Sequence, residues 1–308
     1  MKIPTLSVLF VSSLMLLAAF NPALALTGPM MSLETPAMTT LGGSYNWSGY
    51  AVLGAAGSVS SVSGQWIVPM VTAPFSPFGF YSFPDPSSRL TSGSTLTSAS
   101  SPDPSSLPDP RFSPTVYYVG FWVGIDGVSP STTLEQAGIA AEVVDHVVSY
   151  SAFYEFLPSS PVYLTNYPVC PGDEVCVTVA CTSYVSSAFS LIITDKTAGW
   201  TYRTTGTDSG AADSSAEWIA ETPTLVTPKG QQLAPLADFG IVTFDKCCAT
   251  IAPYSSYPER IGAFSSLPNC YAIIMLNYPT GKTVMANPTP IASASSTGFS
   301  IIWRSAGP

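Results

Sequence analysis

Beyond its first 25 residues the chain sustains no apolar i, i+3, i+4 pattern with caps. Short β-patterned runs recur in its place, at 50–53, 61–68, 116–125, 149–156, 174–182, 189–194, 201–205, 216–222, 239–244, 271–276 and 299–304, with Gly, Pro and Asn between them. Many short strands joined by turn residues restrict the fold to an all-β sandwich or barrel.

Two stretches stand apart from this pattern. At the N-terminus, Lys2, an apolar run over 6–20 and Ala23-Leu24-Ala25 read as a secretory signal peptide covering 1–25. Its apolar run, about 15 residues, is short of the ~20 that a span needs. Residues 26–43 then read as a flexible leader or short propeptide, and 44–308 as a single β domain. Within it, 70–114 is rich in Ser and Pro, with Pro84-Asp85-Pro86, Pro102-Asp103-Pro104 and Pro108-Asp109-Pro110. Proline lacks the N–H that ladder pairing needs, so this stretch is expected to be a long surface insertion loop. The expected location is extracellular, with no membrane attachment after signal removal.

Composition narrows the function. Only 9% of the 308 residues are charged, with 10 basic and 19 acidic side chains and a pI near 4.4. No basic patch is available for nucleic acid. A Ser- and Thr-rich surface stays hydrated without ionising, which suits either acid tolerance or an ordinary secreted β protein. Six cysteines in an exported chain, Cys170, Cys176, Cys181, Cys247, Cys248 and Cys270, suggest disulfides, and 15 pairings are open. A local Cys170–Cys176 bridge around Pro171-Gly172-Asp173 is one of them. No C-x-x-C pair and no set of zinc ligands occurs, so neither metal nor cofactor is expected.

The single histidine, His146, would have to serve any Ser–His or Cys–His site, and no G-x-S-x-G elbow accompanies it. A hydrolase built on this chain would therefore rely on carboxylates or amides. Acids inside apolar β-patterned runs are few: Asp126, Glu155, Glu217 and Glu221. Period 2 puts Glu217, Ile219 and Glu221 on one face and Trp218 and Ala220 on the other. Such a face fits a partly desolvated cleft floor, where burial raises a Glu pKa, or a solvated edge strand.

Seven blocks, in order, resemble the glutamic peptidase family, also called eqolisins: NWSGYAV (46–52), VSGQWIVP (62–69), FWVGIDG (121–127), TLEQAG (133–138), YSAFYEFLP (150–158), PGDEVCVTV (171–179) and SAEWIAE (215–221). The resemblance implies an antiparallel β-sandwich of two curved sheets, like a concanavalin-type jelly roll, with a cleft on a concave face. It implies a metal-independent endopeptidase working in acid on polypeptides, with Gln136 and Glu221 catalytic. It further places Trp47, Trp122, Asp126, Tyr154 and Glu155 in or behind the cleft, and assigns Glu217 no role. A monomer is expected.

Departures from the family pattern are visible. Glu135 precedes the Gln where better-known fungal members have an apolar residue, Phe156 replaces a Trp, and the insertion lengthens the connection before the FWVGIDG block. Asn46-Trp47-Ser48 is also an N-x-S sequon, read as coincidental. The alternative reading is a non-catalytic β-sandwich, either a lectin-like carbohydrate binder stacking sugars on Trp122, Tyr154 and Trp218 or a surface adhesion protein.

Overall fold

The computed structural model describes residues 42–74, 116–128, 131–227, 230–251, 260–263, 267, 269–293 and 296–307. The stretch expected to be a signal (1–25), most of the expected leader (26–43) and nearly all of the expected insertion (70–114) lie outside the described residues. Among those residues there are strands and no α-helix. In chain order the strands are β1 (Gly42–Ser44), β2 (Trp47–Leu53), β3 (Val59–Ile67), β4 (Val116–Asp126), β5 (Leu134–Val144) and β6 (Val147–Phe156). Next come β7 (Val162–Tyr163), β8 (Glu174–Ser183), β9 (Ala188–Asp195), β10 (Trp200–Thr207), β11 (Ser215–Glu221) and β12 (Thr224–Thr227). The last are β13 (Gly230–Leu233), β14 (Ile241–Ile251), β15 (Arg260–Ala263), β16 (Cys270–Leu276), β17 (Val284–Pro288) and β18 (Phe299–Trp303).

Hydrogen bonding joins fourteen of them in the order β10-β9-β8-β3-β14-β18-β17-β16-β2-β11-β4-β5-β6-β7, with β1 beside β16 and β15 beside β14, while β12 and β13 pair with each other. Every strand pairing is antiparallel except β1 with β16. The sheet doubles back on itself: β3 and β8 pack against β4, β8 and β9 against β5, and β3 and β14 against β11. Two layers result, the sandwich expected from the sequence. Its main core lies between them and includes Trp66, Phe121, Ile139, Phe189, Trp218 and Phe244, all buried.

The layer containing β11, β4, β5 and β6 is apolar on both sides. Phe121, Val123 and Ile125 of β4 enter the main core, while Trp122 joins a second cluster on the opposite face with Leu134, Phe153 and Ile219. Glycine makes this layer's packing possible. A Cβ at Gly138 would lie 2.1 Å from the Phe121 carbonyl oxygen and 2.7 Å from Trp122 Cα.

Each run read as a strand from sequence falls on an observed strand. Three features differ from the sequence reading or add to it. β5, opposite β4 along its full length, went unread because Leu134–Val144 is rich in Ala and Gly and shows no alternation. His146 lies in the turn joining β5 to β6. Asp145 and His146 have φ of 47° and 68° there, as a two-residue type I′ hairpin turn requires. The expected disulfides are not formed: all six cysteines are free thiols in the structure. Cys176 sits in the ladder between Gln65 and Thr194, and Cys170 is exposed before the turn.

Candidate active site

The second face of the β11-β4-β5-β6 layer carries the candidate residues. Glu221 closes β11, in which every other residue is buried; Glu221 itself stays partly exposed. On the ladder it lies opposite Gly120 of β4 and Trp47 of β2. Trp122 Nε1 donates to Glu221 Oε2 at 2.9 Å, and Asn46 Nδ2 donates to Oε1 at 3.2 Å. The Trp47 ring packs edge-on against Trp122 at 4.9 Å between centroids. Its indole N–H favours the Glu221 carboxylate from nearby but closes no hydrogen bond. Burial pushes the Glu221 pKa up to about 7, against the pull of the Trp122, Trp47 and Asn46 donors.

Gln136 lies on the same face, opposite Gly124 on β4 and Glu155 on β6. Its Nε2 donates to Glu155 Oε2 at 2.7 Å. Its Oε1 is buried and accepts no hydrogen bond. Glu155 is buried, and its pKa is pushed up to about 8 by desolvation first and by the nearby Glu221 charge second, with the Gln136 N–H opposing. The buried Tyr163 hydroxyl, which has no partner, lies near Glu155.

This geometry sits on a chain with recognisable relatives. The model of the Peptidase A4 family matches residues 45–259. Aspergillopepsin-2 of Aspergillus niger is 30% identical over 210 residues, which are 67% of this chain and 64% of the relative, so the chain spans less than two thirds of that relative's length. The chain belongs to the Peptidase A4 family. Solved structures agree on the fold. Scytalido-glutamic peptidase, solved with a transition-state analogue inhibitor, has a TM-score of 0.57 at 18% identity, covering 84% of this chain and 98% of its own. SCP-B, a member of the eqolisin family solved with the tripeptide Ala-Ile-His, has a TM-score of 0.51 at 18% identity, with the same coverage of both chains.

In this A4 family member, Trp47, Trp122, Gln136, Glu155 and Glu221 share one face. Two other candidates do not join them directly. Tyr154 alternates to the opposite side of β6 and stacks on Tyr202 of β10, with centroids 5.7 Å apart. It therefore belongs to the join between layers. Asp126, fully buried, accepts from the backbone N–H groups of Ala212 (2.7 Å), Asp213 (2.8 Å) and Ser214 (2.9 Å) and from the Ser214 hydroxyl (3.0 Å). It clamps the segment leading into β11.

Sequence reasoning passed over two neighbours of the site. Asn46 opens the NWSGYAV block and an N-x-S sequon, and neither signal marks it as a donor to Glu221. Tyr163 gave no signal, because β7 has only two residues. Glu217, given no role, is fully buried, with neither carboxylate oxygen bonded and its pKa pushed well up, by desolvation first.

Proposed function

We propose that this chain is a secreted endopeptidase that hydrolyses peptide bonds in weakly acidic medium without a metal, using Glu221 and Gln136. The observation that carries this reading is a carboxyl held by two N–H donors at the partly exposed end of β11, on the same face as a buried amide with a free oxygen. Ionised Glu221 takes a proton as water attacks the scissile carbonyl carbon. The second Nε2 hydrogen of Gln136 donates to the forming oxyanion, and its Oε1 accepts from the attacking water. As the tetrahedral species collapses and the C–N bond breaks, Glu221 returns the proton to the leaving nitrogen. Glu155, neutral throughout the acid range, holds the amide in place.

The pH dependence follows from the same groups. Below about 7 the ionised fraction of Glu221 falls roughly tenfold per pH unit, which gives the acid limb. Glu155 and Glu217 have raised pKa values in the folded state. The stability they contribute is complete below their ordinary value of 4.5 and is lost as pH rises above it. The two trends cross in weak acid, where the optimum is expected.

The test is cleavage of an unfolded protein at pH 2 to 7, with and without a chelator. Glu221→Gln and Gln136→Ala should each lose on the order of 10²–10³ or more in kcat, and the chelator should change nothing. Cleavage by folded Glu221→Gln at the wild-type rate would sink the reading.

A further inference from the structure

Glu135 precedes Gln136 on β5 and by strand alternation faces the other way, into the rim of the sandwich. It is 0% exposed, and neither of its carboxyl oxygens has a hydrogen-bond partner. Facing it are Asp126 at the end of β4, Asp208 and Asp213 from the connection between β10 and β11, and Cys181 of β8. From β6, Phe156 lies opposite it on the ladder. Asp208 Oδ2 and Asp213 Oδ1 are likewise buried without partners. Asp126, by contrast, takes the donors of Ala212, Asp213, Ser214 and, at 3.4 Å, Thr133. Three acids therefore crowd a buried rim around a fourth that has claimed the local N–H and O–H groups. A proton on Glu135 removes one charge and supplies a donor toward Asp208.

We propose that neutral Glu135 is a positioning residue: it holds the start of β5, and with it Gln136, against the 208–213 segment that leads into β11 and Glu221, and the release of its proton on opening, added to that of Glu155 and Glu217, helps to set the upper pH limit of activity. The activity part rests on the function proposed above; the structural part does not. Desolvation first, and the charges of Asp126, Asp208 and Asp213 after it, push the Glu135 pKa up to about 11, and Asp213 is pushed up to about 6. The sign follows. Any open form of this rim returns Glu135 to its ordinary 4.5 and releases the proton, so above that pH opening becomes about tenfold easier per pH unit.

Glu135→Gln keeps the shape and the donor but cannot titrate. Denaturant unfolding of the full chain at pH 4 to 8 gives the slope of log Kunfold against pH. That slope should fall by about one in Glu135→Gln. In cleavage assays Glu135→Gln should stay within about threefold of wild type at its optimum. Its fall at high pH, carried by kcat rather than KM, should move up by about one pH unit or more. Glu135→Met, of similar volume and equally unable to titrate, should lower the same slope, and it carries the test if Glu135→Gln does not fold. A wild-type slope in the folded variants would overturn the proposal. If the wild type cleaves nothing, the unfolding slopes still decide the role of Glu135.

Discussion

The two layers of the sandwich bury their residues differently. In the outer layer, β8 and β9 alternate between buried and half-buried positions, and β10 between half-buried and exposed ones. In the other layer, β4, β5 and β11 are buried on both faces over most of their length. An alternating strand has one demanding face and one tolerant face. A doubly buried strand has none to spare, so any polar group on it must be bonded, neutral or in use. Gln136, Glu217 and Glu221 lie there, and Glu155 is buried beside Gln136 on the neighbouring β6. The proposed catalytic groups thus sit on the layer least able to tolerate polar side chains for any other reason.

Substitutions can break or sharpen this contrast. Gly138→Ala, in β5, drives a Cβ into the Phe121 carbonyl; a loss of about 3 kcal/mol or more is expected by urea denaturation. A milder loss would mean that the two-faced layer yields more readily than its packing suggests. Trp122→Phe deletes the 2.9 Å donor to Glu221, a charge-assisted bond worth about 1.5–3 kcal/mol. The Glu221 titration and the acid limb of activity should both move to higher pH, measurable in the kcat/KM profile. Glu217→Gln removes a carboxyl whose proton must stay on when folded. The variant should gain about 1 kcal/mol or more over wild type at pH 7 and less at pH 4, since the wild type loses stability as pH rises. In the outer layer, Thr205→Ala on the exposed side of β10 should change stability by no more than about 0.5 kcal/mol.

The same contrast explains what the sequence made legible. Val177 and Val179 alternate with Cys176 and Thr178 on β8, and that period announces a strand. β5 reads Leu134-Glu135-Gln136-Ala137-Gly138-Ile139-Ala140-Ala141, where small residues on both faces erase the period. The strand carrying Gln136 was therefore legible only through the resemblance of its TLEQAG block, and the site's pairing with Glu155 needed the register of β5 on β6. The shared face of Glu217 and Glu221 was legible from period 2 alone. Which of the two stays partly exposed was not, because that depends on Glu221 ending its strand beside Asn46 and Trp47. Tyr154 shows the same limit: the resemblance placed it in or behind the cleft without choosing, while its alternation with Glu155 puts it on the opposite face, against Tyr202.

The most direct measurement is the titration of Glu221 itself, by carboxyl NMR of the full-length protein with Glu221→Gln as the assignment control, set beside the kcat/KM–pH profile. A carboxyl titrating near 7, absent from the variant and matching the acid limb of activity, is the expected result. A Glu221 that titrates near 4.5 with no matching limb would contradict the account, because the desolvated, indole-held carboxyl would then not be the group that moves the proton.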